Sequence, residues 1–152
     1  MPSRRNQIAM TDEELRAFLA EQKVVTVATV GPHGRPHLMP LWYVVDGTEL
    51  RGWTYAKSQK TKNLERDPHA TLQVEDGVLY EELRGAMLEC DVDIERDPAE
   101  VAKYGLALFK RFGDITPDLE EMVHKQAQKR VGLSFRPTRV VSWDHHKLGG
   151  TY

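Results

Sequence analysis

The feature that most limits the fold is a succession of short β-type runs punctuated by turns that carry glycine. Val24-Val-Thr-Val-Ala-Thr-Val30 is almost wholly β-branched, which stiffens χ1 and favours a pleated strand. Gly31-Pro-His-Gly34 follows as a turn, with glycines where φ must be positive. Pro36 to Val45 reads as the second strand, Asp46-Gly47 as a hairpin turn, and Glu49 to Thr54 as the third strand. These tight links make an antiparallel meander. Ala70-Thr-Leu-Gln-Val74 is the fourth strand, closed by Asp76-Gly77. A long strand from Leu83 to Ile94 alternates at Leu88, Cys90, Val92 and Ile94. The opposite parity of Leu83 and Met87 predicts a bulge at or beside Gly85. Val131 to Phe135 and Arg139 to Trp143 are the last strands, split by Pro137.

Helices fill the gaps. Thr11-Asp-Glu-Glu14 has the form of a capping box, and the helix it opens, spanning 11–21, buries Leu15, Phe18 and Leu19 at i, i+3, i+4 spacing. Asp97-Pro98 reads as N-cap and first residue of a helix to about Phe112, with Val101, Tyr104, Leu108 and Phe112 inward. Thr116-Pro117 starts another, with Leu119, Met122 and Val123 inward. The tail, 144–152, is polar and contains glycine. No repeat, low-complexity tract or linker divides the chain, so residues 1–152 form a single domain. About six antiparallel strands with helices between them predict a mainly β fold, a small closed or partly closed barrel.

Charge narrows the function. Twenty-one basic against 23 acidic residues leave a net charge of −2, which argues against a general nucleic-acid binder. One cysteine, Cys90, excludes an intrachain disulfide and fits a reducing compartment. Its strand context makes it a small buried hydrophobe. The basic start, Met-Pro-Ser-Arg-Arg-Asn6, is followed by no apolar run, and no segment reaches the length of a membrane span. A cytoplasmic protein that engages no membrane is expected.

The charge is also unevenly spread. Residues 75–100 hold ten acids and two arginines. Between Arg51 and Arg66 the sign reverses: Arg51, Lys57, Lys60, Lys62 and Arg66 face one acid, Glu65, a local net of +4. Ser58 and Thr61 add hydroxyls, and a helix starting here adds unpaired N–H groups and a favourable dipole. Together these compose a phosphate cradle. The alternative reading of the same residues is a solvated basic helix with Leu64 as its one inward anchor. Other candidates are thinner. His33, His37, His145 and His146 lack an accompanying Cys/His/carboxylate set at ligand spacing, so no metal site is expected. Trp42 and Trp53 read as strand packing, with ring contact open to Trp42. Tyr55 and His37 are candidates to supply a proton or a turn hydrogen bond, and Trp143-Asp144 closes the last strand.

Two stretches carry a family resemblance: Val27-Ala-Thr-Val-Gly-Pro-His-Gly-Arg-Pro-His-Leu-Met-Pro-Leu-Trp-Tyr-Val-Val-Asp-Gly47, and Ser58-Gln-Lys-Thr-Lys-Asn-Leu-Glu-Arg-Asp-Pro68. In order and spacing they resemble the flavin/deazaflavin oxidoreductase superfamily, the split β-barrel group that includes pyridoxamine 5′-phosphate oxidase. The similarity runs from about Val24 to Pro98 and resumes at Arg136-Pro-Thr-Arg-Val-Val-Ser-Trp-Asp144. Within the group the chain is most similar to the branch that uses coenzyme F420, a deazaflavin with a phosphodiester and polyglutamate tail. The resemblance implies that Lys60 holds the cofactor phosphate, that Ser58 faces it, and that Lys57, Thr61 and Lys62 lie along it. It implies that the backbone of Met39-Pro40-Leu41-Trp42 lies along the ring. It further implies a homodimer with the cofactor groove between protomers and a small-molecule substrate.

One departure matters. FMN-binding members carry an arginine in the second strand, where this chain has Met39-Pro40. The C-terminal arginine–leucine motif of the oxidases is not evident either. A deazaflavin passes hydride and handles single electrons poorly, so the cofactor carries the chemistry and no catalytic triad is expected. Three functions follow from the resemblance: an F420-dependent reductase; an FMN-dependent oxidoreductase; and a flavin-, deazaflavin- or haem-binding carrier without turnover.

Overall fold

The computed structural model describes residues 3–150. Two helices, α1 (Arg4–Ile8) and α2 (Asp12–Glu21), precede strands β1 (Val24–Val30), β2 (Pro36–Trp42), β3 (Val44–Asp46) and β4 (Glu49–Tyr55). Helix α3 (Gln59–Arg66) leads to β5 (His69–Asp76) and β6 (Arg84–Glu95). Helices α4 (Pro98–Lys110) and α5 (Pro117–Ala127) come before the last strand, β7 (Arg130–Asp144). Short 3₁₀ turns occupy Tyr80–Glu82 and His145–Leu148. Of the polar tail, Thr151 and Tyr152 lie outside the described residues. Among the described residues no helix is long and apolar enough to cross a membrane.

The strands form one antiparallel sheet of seven, in the order β2-β1-β5-β6-β7-β4-β3. Its two edges, β2 and β3, are consecutive in the chain and separated only by Tyr43. The sheet must therefore curl until one continuous segment closes both ends, which makes the expected split barrel. The expected single strand from Pro36 to Val45 is broken at Tyr43, and the break has a cause. The Tyr43 ring is 1% exposed and its hydroxyl donates to the Leu19 carbonyl at 2.6 Å. Its own carbonyl accepts from Arg111 Nη1 at 2.6 Å instead of from a strand. Burial pushes the Tyr43 phenol up to about 12, partly offset by Arg111.

Inward residues at alternate positions build the core: Val25 and Val27 from β1, Leu50 from β4, Leu72 and Val74 from β5, Leu88 from β6, Leu133 and Phe135 from β7. Leu15, Phe18 and Leu19 cap it from α2, whose capping box closes as expected: Thr11 Oγ1 accepts from Glu14 N–H, and Glu14 accepts in return from Thr11 N–H. Truncating one of the fully buried leucines to alanine costs about 2–5 kcal/mol.

Two expectations for the long strands are corrected. β7 is continuous through Pro137, because the ladder absorbs the proline at a register shift. Cys90 pairs with Pro137 and Glu89 with Arg139, so Thr138 is the extra residue, and its hydroxyl donates to the Glu89 carbonyl at 3.1 Å. Gly85, where the bulge was expected, sits in regular register with Trp143 and Glu75. Its need is steric: a Cβ there would come within 2.5 Å of the Trp143 ring and 2.7 Å of the Val74 carbonyl. Cys90 is buried, and that burial pushes its thiol up to about 12.

The helical pair lies outside the barrel, on β4. Val101, Ala102, Val123 and Ala127 form a second small core, joined by Trp53, Leu106, Phe109 and Leu119. Gly105 is obligatory here because a Cβ would meet the Trp53 ring at 2.4 Å. Two inward assignments fail. Met122 is 36% exposed. Phe112 lies past the end of α4, 47% exposed, and stacks on Trp42 at 4.1 Å. Tyr104 is half-buried and shares a 2.7 Å hydrogen bond with Ser134.

Candidate functional site

Helix α3 divides the basic cluster into two groups that face different ways. Ser58 is the N-cap, with its Oγ accepting from Thr61 N–H at 3.2 Å. Thr61 Oγ1 lies 3.1 Å from Ser58 Oγ and donates to the Tyr55 carbonyl at 2.9 Å. The two hydroxyls thus brace the start of the helix. Lys60, Thr61, Asn63 and Leu64 are buried, while Lys57 and Lys62 are exposed. Leu64 is therefore one of four inward residues, and the picture of a solvated helix with a single anchor does not hold.

Lys60 is the unusual member. It is 5% exposed, and its ammonium donates to Thr54 Oγ1 at 3.1 Å. No carboxylate pairs with it among the described residues. Burial lowers its pKa from the ordinary lysine value. An ammonium has three donors, and one neutral acceptor leaves much of its desolvation uncompensated. A phosphate would supply the missing charge and acceptors, so this residue set fits an anionic cofactor group.

Asn63 anchors α3 to the barrel. Its Nδ2 donates to Thr29 Oγ1 at 3.0 Å, and its Oδ1 accepts from Gln59 at 2.7 Å. Arg66 donates to the Val30 carbonyl, so the C-terminal half of α3 is tied to the end of β1. The sequence reading assigned no role to Asn63 or Thr54. Both are short polar side chains on strongly patterned elements; only the fold brings Thr54 to Lys60 and Asn63 to Thr29.

Strand β2 forms another wall. Its register on β1 pairs Val27 with Met39, Thr26 with Pro40, Val25 with Leu41 and Val24 with Trp42. Alternation then places Met39 and Leu41 on the face that Val25 and Val27 turn to the core, where Met39 is nevertheless 45% exposed, and Pro40 and Trp42 on the outer face. The four residues do not present a common side-chain surface. Their shared property is the backbone edge of β2, which ends the sheet and so lacks a second ladder partner. At the Trp42 end β2 closes on β4, where a Cβ on Gly52 would come 3.0 Å from the Trp42 carbonyl. His37 shares the core face with Met39, and its Nδ1 is buried without a hydrogen bond among the described residues.

Outside the barrel, beside the start of α3, lies a cleft of about 650 Å³ lined by Tyr55, Ala56, Lys57, Ser58, Gln128 and Lys129. The histidines flagged at the C-terminus are engaged locally: His145 Nδ1 lies 2.6 Å from the Tyr80 carbonyl, and His146 Nδ1 lies 2.7 Å from Asp144. Among the described residues no group of three His, Cys, Asp or Glu side chains converges as a metal site would need.

Comparison with known proteins places this geometry. Residues 11–144 match the family model described as pyridoxamine 5′-phosphate oxidase. Among solved structures, the conserved hypothetical protein Rv2991 from Mycobacterium tuberculosis is 38% identical, with a TM-score of 0.89 over 99% of this chain and 95% of that one. An F420 reductase is 28% identical, with a TM-score of 0.65 over 82% of this chain and 94% of that one. HutZ, the heme storage protein from Vibrio cholerae, shares the fold at 18% identity, with a TM-score of 0.67 over 86% of this chain and 93% of that one. No curated protein matches the sequence. The family model spans every strand of the barrel and the whole of α3, and the chain belongs to the pyridoxamine 5′-phosphate oxidase family, with its flavin-binding oxidoreductase fold.

Proposed function

We propose that this protein is an F420-dependent oxidoreductase that delivers hydride from the reduced deazaflavin to a small-molecule acceptor. The observation that carries the reading is Lys60, a buried ammonium with one neutral partner at the start of α3. The 28% identity to an F420 reductase supports it. In this reading Lys60 binds the cofactor phosphate, and Ser58 and Thr61 hold the helix start in place around it. The free backbone edge of β2, from Met39 to Trp42, offers donors and acceptors to the polar rim of the ring. The apolar side chains of Met39 and Leu41 exclude water from the ring face. When bound, the deazaflavin supplies a two-electron hydride donor.

The choice of F420 over FMN rests on charge. FMN ends in a compact dianion that calls for two or more firm cationic contacts. Here Lys60 has no second buried cation beside it among the buried polar residues, and strand two offers Met39-Pro40. A phosphodiester with an extended acidic tail needs one buried contact and a looser basic track, for which Lys62 is exposed. Titration of both cofactors at matched, moderate salt, followed by tryptophan quenching, tests this. F420 is expected to bind more tightly, and Lys60→Ala to weaken it by about 10- to 100-fold. Protein that purifies with stoichiometric FMN, or that turns over no acceptor with reduced F420, overturns the assignment.

The working unit in this reading is a homodimer whose cofactor groove lies between protomers. Val24, Val30, Leu38 and Trp42 are 50%, 41%, 60% and 44% exposed, and the β1–β2 register puts all four on one outer face. So extended an apolar stripe is covered by a second copy in solution. Light scattering should give twice the chain mass at micromolar concentration. A monomer removes this part of the proposal.

A further inference from the structure

The cleft outside the barrel lies on the opposite side of β4 from the buried Lys60 ammonium. Successive residues of a strand point to opposite faces: Thr54, which holds Lys60, is buried, while Tyr55, which lines the cleft, is 51% exposed. The cleft is also built on fixed walls. Ala56 N–H donates to the Lys129 carbonyl at 2.9 Å, locking the β4–α3 link to the α5–β7 turn. At the end of α5 the Lys125 and Gln126 carbonyls accept from the Gln128 and Lys129 N–H groups.

Its chemistry is one-sided. The charged side chains lining it are Lys57 and Lys129, with no carboxylate. Neither lysine makes an ion pair among the described residues, whereas Lys103 and Lys147 elsewhere are paired with Glu100 and Glu14. The Tyr55 ring forms an aromatic wall, and the Arg130 guanidinium lies 4.1 Å from its centroid and 4.7 Å from that of Trp53. That stack fixes Tyr55 and adds a third unpaired cation behind it. Arg130 Nε has no hydrogen-bond partner among the described residues, so the guanidinium is held by rings and not by an acid. A volume of about 650 Å³ suits a small organic molecule.

We propose that this cleft binds a planar, carboxylate-bearing small molecule, its ring on Tyr55 and its carboxylate between Lys57 and Lys129. The binding site stands independently of the function proposed above.

The test uses 2-naphthoate as probe and 2-naphthalenemethanol as its uncharged control, followed by backbone amide shifts of the full chain. Naphthoate should cause saturable shifts at Ala56, Lys57, Gln128 and Lys129, and the alcohol should not. Lys129→Glu, at an exposed position where the melting temperature should stay close to wild type, should weaken naphthoate binding about tenfold or more, with the difference shrinking as salt is raised. F420 affinity in Lys129→Glu should stay within about twofold of wild type. Shifts elsewhere, or equal binding by wild type and Lys129→Glu, overturn the proposal. A parallel loss of F420 affinity also overturns it, because the cleft would then seat the cofactor tail. Failure of wild type to bind F420 at all sinks the proposed function, while the naphthoate result still decides the site.

Discussion

Tyr43 and Lys60 are two places where the barrel buries a polar side chain, and they are built in opposite ways. At Tyr43 every group is used. The phenol donates to Leu19, and the Arg111 guanidinium donates to the carbonyls of Tyr43, Ala20 and Gln22 at 2.6–2.7 Å. Arg111 also stacks on the Tyr43 ring, 5.3 Å from its centroid. It thereby ties the end of α2 and the break between β2 and β3 to the end of α4. At Lys60 an ammonium is taken out of water for one neutral hydrogen bond. A group that the fold satisfies completely is serving the fold. One that the fold buries and leaves short of partners costs stability, and that is the ground on which an anionic ligand is proposed for it.

The largest expected effect tests the satisfied end. Arg111→Ala orphans three carbonyls, some partly exposed, and should destabilise the protein by about 2–4 kcal/mol. A chemical denaturation midpoint unchanged from wild type would show that the Tyr43 junction does not depend on this guanidinium. The next effect is smaller and of opposite sign. Lys60→Met should leave the cofactor-free protein as stable as wild type, or more stable by up to about 1–2 kcal/mol. It should also reduce the rise in melting temperature expected of wild type with F420 under the proposed function.

The pH dependence has a fixed direction. Lys60 is depressed by burial, so the unfolded chain holds its proton to higher pH than the native one. Native stability should then rise with pH through the alkaline range toward the ordinary lysine value, and Lys60→Met should flatten that rise. A steeper alkaline rise in the variant contradicts the assignment of this titration to Lys60.

The smallest effect concerns an exposed charge. Glu14 is lowered to about 2 by its hydrogen bond to Lys147 and by the Thr11 capping box. Its contribution is present above the ordinary carboxylate value of 4.5 and is lost as pH falls toward about 2. Lys147→Ala should reduce the slope of stability against pH in that acid window, with only a small loss at neutral pH because the pair is exposed to solvent. An unchanged acid slope would mean that the ion pair does not form in solution.

Between these extremes, the outer face of β6 shows why charge runs mislead when read as sequence. Its acids look like a field opposing the basic cluster. In the sheet, however, Arg136 pairs with Asp93 at 2.7 Å and Arg139 with Glu89 at 3.3 Å across the β6–β7 ladder. Those arginines lie more than forty positions away in the chain, at separations of 43 and 50. Two of the β6 acids thus belong to an ordinary cross-strand charge ladder.

What the sequence alone determined is what depends on local physics. β-branched runs, the Asp46-Gly47 turn, the Thr11 capping box and the Pro98 and Pro117 helix starts are decided by backbone sterics and hydrogen bonds within a few residues. All of these stand where they were expected. The order of strands, the break at Tyr43 and the passage of β7 through Pro137 were decided only in tertiary structure. Each is settled by a partner from a distant part of the chain: Arg111 for the break, Glu89 for the proline. The site divides along the same line. Its basic character was legible between Arg51 and Arg66, because composition is local. That Lys60 is buried against Thr54, while Lys57 instead meets Lys129 across an outer cleft, follows from strand alternation and from where α5 ends. Burial is a property of the assembled barrel, and no run of residues carries it alone.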